Sequence, residues 1–347
     1  MKSHSSKQLA PTNTSASIKD VGQRANVSIS TVSRVLNDSG YVSEETRKRV
    51  LQAVQELDYT QNRVARSLRT KRSNLIGLVV PDISNEFYSL LAKAIDQELS
   101  PEGYQLLLCN TREDEALERE VIESLVVNHV SGMVIVSAGE EVNDQLVASG
   151  LPTVMFDGNT RGTRASNVVF VDCDSYEGGR AAARELISRG AKRLALLRTH
   201  RPVIPMNARE RGFRDEAQNL GFEADKILNY SVNISTSEAL DLITEVYPRD
   251  QFDGLFCAAD IIAVGAVTAL RNMEIDIPGT VQIIGFDGIS LGEYMTPRLS
   301  TILQNIPDTA NVIAEELLRL QAGSSAPRHV IIPIEFEPRD TTRSIEE

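Results

Sequence analysis

The chain has 347 residues, 41% of them hydrophobic, which is enough for two or three domains with cores of their own. Its formal net charge of −12 is unevenly spread, since residues 1–73 carry 13 Lys and Arg against 6 Asp and Glu and the remainder is strongly acidic. A basic head on an acidic body excludes a uniformly polyanion-coating protein and fits a chain in which one module alone meets a polyanion.

The first 16 residues, MKSHSSKQLAPTNTSA, are rich in Ser and Thr and lack the apolar core of a signal peptide. They are expected to form a disordered tail on a cytoplasmic protein. No apolar run reaches 18 residues, so no membrane span is expected. Cys109, Cys173 and Cys257 lie far apart in apolar runs, without a CxxC pair or an HExxH motif. That pattern argues for buried thiols, against a disulfide framework, and against a structural zinc site.

Residues 17–60 read as three short helices. Ser17 and Asp20 have capping-box spacing at the start of the first, which runs to about Arg24. ANVS makes a tight turn, and Ser28 can cap a second helix within NVSISTVSRVLN. There Val32, Val35 and Leu36 repeat at a helical interval and face a small core, which leaves Ile29, Ser30, Ser33 and Arg34 on the outer side. Ser43 opens the third helix, SEETRKRVLQAVQEL, with Val50, Val54 and Leu57 as its apolar stripe. Helix, four-residue turn, helix is the spacing of a DNA-reading pair. Short hydroxyl side chains suit a helix pressed against phosphates and base edges, and Arg34 can engage a guanine edge bidentately. Residues 61–73 follow as a basic linker, with a helix-capable piece at 62–68.

Beyond residue 73, apolar strands alternate with amphipathic helices. The strands are LIGLVV (75–80), YQLLLC (104–109), GMVIVS (132–137), PTVMF (152–156), RLALLR (193–198), GLFCAA (254–259) and VQIIGF (281–286). Continuous apolar strands separated by helices predict parallel sheets covered on both faces, here in two series and hence two similar subdomains. In such sheets ligands bind beyond the strand ends. That rule selects Ser84, Asn85, Phe87 and Tyr88 in PDISNEFYS, together with Asp157 after MF and Asp287 after IIGF. The motifs GxGxxG, GxxxxGK[ST] and GxSxG do not occur, and no catalytic activity or cofactor is expected.

The segments SIKDVGQRANVSISTVSRVLN, YVSEETRKRV and LDYTQNRVARSL together resemble the lactose/galactose repressor (LacI/GalR) family of bacterial transcription regulators, and the likeness continues over about residues 17–340. The resemblance implies a fold of class α + α/β. A three-helix helix-turn-helix head and a hinge helix precede a two-lobed core like the periplasmic binding proteins, at 74–347. Lobe 1 would take about 74–173 and 303–328, and lobe 2 about 174–302 and 329–342. It assigns base reading to Ile29, Ser30 and Arg34, and phosphate contacts to Ser28, Thr31 and Ser33. It assigns minor-groove and hinge roles to Asn62, Ala65, Leu68 and Arg69, with Leu68 as the wedge that kinks DNA. In the core it matches Arg209 in NARERGF and Asp287 to effector contacts, and places Phe256 where the purine repressor stacks its ligand.

Two carboxylates and an arginine beside an aromatic wall suit a polyhydroxylated effector. Three departures narrow the inference: Ala259 in place of a polar residue, Gly288 in place of a second aspartate, and the apolar VIPM at 203–206. The expected protein is a homodimeric, ligand-responsive regulator of a pseudo-palindromic operator, most simply a repressor of carbohydrate genes. A nucleoside, a sugar phosphate or another metabolite is the alternative effector, and a global regulator or activator the alternative role. No leucine heptads follow EFEPRD, so a coiled-coil tetramer is not expected.

Overall fold

The computed structural model describes residues 16–36, 38–59, 73–136, 144–158, 165–200, 203–324 and 328–344. The chain divides into two compact units, Met1–Lys71 and Arg72–Glu347.

In the first unit, α1 (Ile18–Ala25) opens on a complete capping box between Ser17 and Asp20. It ends at Asn26, whose left-handed backbone (φ +53°) lets the chain turn at once into α2 (Ile29–Leu36). The Ser28 hydroxyl accepts from Thr31 N at 3.2 Å and so caps α2. Ser43 does the same for α3 (Glu44–Glu56) through Thr46 N. Val21 and Ala25 of α1, Val32 and Val35 of α2, and Val50 and Ala53 of α3 make the shared core, with Leu36 half-buried against it. Such a core is small, so the caps, worth about 1 kcal/mol each, are a sizeable part of the head's stability.

The second unit holds two six-stranded sheets. The first contains β1 (Leu75–Val80), β2 (Gln105–Asn110), β3 (Gly132–Val136), β4 (Thr153–Phe156), β5 (Val168–Cys173) and β11 (Arg328–Ile332), in the order β11-β5-β4-β3-β1-β2 with every pair parallel. The second contains β6 (Leu194–Thr199), β7 (Leu228–Val232), β8 (Gly254–Cys257), β9 (Gln282–Asp287), β10 (Ser300–Gln304) and β12 (Ile334–Glu337), in the order β12-β10-β9-β8-β6-β7. Only the β10–β12 pair is antiparallel. Among the helices are α4 (Glu86–Leu99), α5 (Glu115–Val127) and α6 (Asp144–Ser149) in the first lobe. The second lobe carries α7 (Ser175–Ser188), α8 (Ile204–Asn219), α9 (Thr236–Asp250), α10 (Asp260–Asn272) and α11 (Leu291–Tyr294). The last helix, α12 (Ile306–Gln321), returns to pack on α4 in the first lobe.

The crossings between lobes fall after Cys173, after Gln304 and at Pro333. The last differs from the expected boundary at 328/329, which lies inside β11. That strand pairs along its whole length with β5 of the first sheet. Gln304 likewise ends a strand of the second sheet, so the return to lobe 1 comes two residues later than expected.

The α7–α8 contact sets up the site. A Cβ at Gly179 would lie 2.0 Å from Arg209 O, and one at Gly212 would lie 2.0 Å from Tyr176 O. Glycine at both positions lets the two helix backbones touch and fixes where α8 carries Arg209.

Candidate functional site

In the head, α2 turns Ile29 (42% exposed), Ser30 and Arg34 to solvent while Val32 and Val35 hold it down. Ser33 and Thr31 are half-buried. The hydroxyls of Ser28, Ser30 and Thr31 form a connected cluster, 2.7 and 2.9 Å apart, at the helix N-terminus, where the helix dipole favours an anion. Arg24 pairs with Glu56, and Arg47 pairs with Asp38 at 2.7 Å. Arg34 is exposed, and among the described residues it carries no ion pair. Asn62, Ala65, Leu68 and Arg69, expected from the resemblance to form a hinge, lie outside the described residues.

In the core, the strand ends of both lobes converge on a small pocket of about 70 Å³. Asn85, Phe87, Tyr88 and Asp157 line it from the first lobe, and Arg209 and Asp287 from the second. Asp157 follows β4 with φ +53°, and Asp287 ends β9 with φ +121°. Backbone held in these regions is strained, and such strain clusters at ligand sites. Arg209 and Asp287 are 2% and 4% exposed. The Arg209 Nη1 donates to Ala258 O at 2.7 Å and lies 3.5 Å from Asp287 Oδ1, and the guanidinium rests 3.6 Å from the Phe286 ring centroid. Gln304 Nε2 donates to Asp287 Oδ1 at 2.6 Å, which leaves its own Oε1 buried without a partner among the described residues. A ligand hydroxyl there would satisfy it.

Burial lifts the Asp157 carboxyl to about 7, although Arg209 and the N–H of Cys173, 3.2 Å from Oδ1, pull the other way. Burial also raises Asp287, offset by Arg209 and Gln304. Asp260 is fully buried behind the pocket and accepts from Gly288 N (2.8 Å), Ile289 N (3.0 Å) and Thr301 Oγ1 (2.7 Å). It thereby pins the loop that follows Asp287. Gly288 has φ +78°, and a Cβ there would press on Leu303 at 2.5 Å, so glycine suits this position better than a second aspartate.

Two expected contacts are not in the pocket. Ser84 is exposed, its N–H and hydroxyl both donated to the Asp82 carboxylate, which folds it away from the lining. Asn85 instead caps α4 and is buried. Phe256 is fully buried beneath α8, stacked on Phe213 at 5.2 Å, because its place in the alternation of β8 points it into the core. The apolar wall comes from Val136, Val203, Pro205, Met206 and Ile234. Sequence reasoning also missed Glu113, Thr199, His200, Asn233 and Gln304. Thr199 and Gln304 close β6 and β10, so the strand-end rule finds them once those strand limits are known.

A head that presents a recognition helix, followed along the chain by a two-lobed core with a buried polar pocket, defines a ligand-responsive, DNA-binding transcriptional regulator. Residues 17–62 match the lacI family of bacterial regulatory proteins, and residues 183–342 match a periplasmic binding protein-like domain. The chain belongs to the lacI family of bacterial regulatory proteins. It is 35% identical to the ribose operon repressor of Halalkalibacterium halodurans over 94% of this chain and 92% of that one. It is 33% identical to the sucrose operon repressor of Streptococcus mutans over 92% and 97%. In fold it is similar to the lac repressor dimer bound to operator, with TM-score 0.84, 23% identity, and coverage of 95% and 99%. The named relatives are repressors of transcription, not enzymes. Among the described residues no helix is long and apolar enough to cross a membrane.

Proposed function

We propose that the chain is a homodimeric repressor of carbohydrate genes, released from or held on a pseudo-palindromic operator by a saccharide bound between its lobes. The observation that carries this reading is the convergence of Asn85, Asp157, Arg209, Asp287 and Gln304 on one pocket. Carboxylates accept from adjacent hydroxyls and Arg209 donates to a ring or hydroxyl oxygen, each such charge-assisted bond being about twice as strong as a neutral one. Asp157 and Asp287 disfavour a phosphate, which weighs against a sugar phosphate or nucleotide. The relatives named for ribose and sucrose operons support the same class of effector.

On DNA, Ile29, Ser30 and Arg34 read base edges. The Ser28, Thr31 and Ser33 group meets phosphates, and Asn62, Ala65, Leu68 and Arg69 make the hinge in the minor groove. A dimer places two heads on half-sites related by its two-fold axis. Effector and operator are coupled because each prefers one arrangement of the protein: the ligand touches both lobes and so favours one interlobe angle. The test is a thermal-shift screen of the full chain against neutral sugars, sugar phosphates and nucleosides, followed by operator binding with and without the hit. Stabilisation by a neutral sugar that also changes operator affinity is expected. Stabilisation by phosphorylated compounds or nucleosides alone would overturn the saccharide assignment.

A further inference from the structure

The chain joins the two lobes covalently after Cys173, after Gln304 and at Pro333, and a further tie between them is not covalent. It lies in the loop that leaves β9 just after Asp287 of the pocket. Gly288 N and Ile289 N both donate to Asp260 Oδ2, at 2.8 and 3.0 Å, so the loop is stapled to its own lobe. Ile289 is nevertheless 1% exposed, and the buried apolar cluster that holds it is the core of the first lobe. That cluster is built from β1, β3, β4, β5, β11, α4 and α12. Among the described residues, Ile289 is its only buried member from the second lobe. Two residues further on, Leu291 N donates to Glu86 Oε2 at 3.3 Å, and Glu86 stands in the first turn of α4 in the first lobe.

Two residues of chain span at most about 7 Å. The carboxylate in the pocket and the side chain in the opposite lobe's core are therefore the two ends of one short link. A close-packed core holds a buried isoleucine in one place, so the link restricts the interlobe angle, whereas chain crossings alone let a few residues absorb a rotation. We infer that Ile289, assisted by Glu86, is a positioning residue that latches the Asp287 loop to the first lobe and sets the interlobe angle of the unliganded pocket. The balance between lobe arrangements in the free protein then depends on how firmly Ile289 is held, and an effector that draws on Asp287 acts on that balance. The inference rests on the interlobe pocket and is independent of the class of effector that fills it.

The experiment measures an interlobe distance in the full-length protein without effector, by pulsed dipolar spectroscopy between nitroxide labels. The labels go on Ala148→Cys in the first lobe and Gln218→Cys in the second, both exposed positions. Cys109→Ser removes the native thiol that is not buried. Labelled chain is diluted in excess unlabelled chain, so that the distance read is within one protomer. With Ile289 and Glu86 in place, one narrow distance is expected. Ile289→Ala should raise the population of a second distance about tenfold, and Glu86→Ala should raise it less. Ile95→Ala truncates the same first-lobe core at a wholly buried residue of α4 and should lower stability while leaving the single distance unchanged. Ile289→Val makes the smaller truncation, which keeps the fold, and should move the distances in the same direction as Ile289→Ala. A single unchanged distance in the Ile289 variants, or the same second distance produced by Ile95→Ala, overturns the inference. Neither result bears on the saccharide reading, because no sugar is present in the measurement.

Discussion

Replacing Arg209 by Met tests whether the pocket is organised around a buried charge pair. The guanidinium is almost wholly buried, donates to Ala258 O at 2.7 Å, and lies 3.5 Å from Asp287 Oδ1 and 3.6 Å from the Phe286 centroid. Removing one partner of a buried pair costs about 3–5 kcal/mol because the other charge is left uncompensated. Here Asp287 can escape part of that cost by taking up a proton, since burial already raises its pKa and Arg209 is the main force lowering it. The lower end, about 3 kcal/mol, is therefore expected at neutral pH, a Tm loss of roughly 5–10 °C for a unit of this size.

The pH dependence follows from the same shift. A carboxyl whose folded pKa lies above its unfolded value contributes stability that is present below the unfolded pKa and lost as pH rises through the folded one. The Arg209→Met deficit should thus be larger at pH 8 than at pH 5. Adding Asp287→Asn removes the stranded charge and should recover most of the loss, while effector binding is abolished in both the single and the double variant. Guanidinium chloride denaturation at both pH values measures the cycle. A double variant no more stable than Arg209→Met, or a deficit independent of pH, would refute the buried-pair account.

Asp157→Asn should flatten the fall in unliganded stability between about pH 4 and pH 7, because burial places that carboxyl at about 7; an unchanged slope in thermal melts would count against it. Gly179→Ala should cost about 1–3 kcal/mol and weaken effector binding by displacing α8 and with it Arg209; denaturant melts and ligand titration read the two effects, and normal ligand affinity would refute the positioning role. Arg34→Ala should lose about 1–3 kcal/mol of discrimination at one base per half-site; selection from a randomised operator library that returns the same preference would exclude Arg34 as a base reader. Leu68→Ala should weaken operator binding and reduce DNA bending without altering effector affinity; equal bending in a phasing assay would remove the wedge.

Central strands of the core could be read from the sequence because burial on both faces makes them continuous apolar runs: LIGLVV is β1, and VQIIGF nearly coincides with β9. The strands left unread are mostly those with a solvated side. β7, β11 and β12 form sheet edges, and LNYSV, RHVII and IEFE mix polar with apolar residues accordingly. β5 and β10 escaped for a different reason, since VVFVDC and STILQ are interior strands that carry polar residues at their ends. Missing β11 displaced the expected lobe boundary, and missing β10 hid Gln304.

The site divides along the same line. Asp157 and Asp287 stood out because polar residues at the ends of apolar strands are conspicuous in a sequence. Phe256 misled because residue type alone does not tell which face of a strand a ring occupies, and one step along β8 reverses the answer. What sequence could not supply is the partnership among the polar groups. Asp287 is held between Arg209, carried on α8, and Gln304, at the end of β10, while Asp157 arrives from the other lobe. A ligand that satisfies Gln304 Oε1 and Asp157 together must touch both lobes, so the bond that supplies its affinity also selects the lobe arrangement. Recognition and response are then one event, and a variant that removes Asp157 alone should retain part of the binding through the second lobe while losing most of the effector's influence on operator affinity. Parallel loss of both in titrations with and without operator would show instead that Asp157 only contributes affinity.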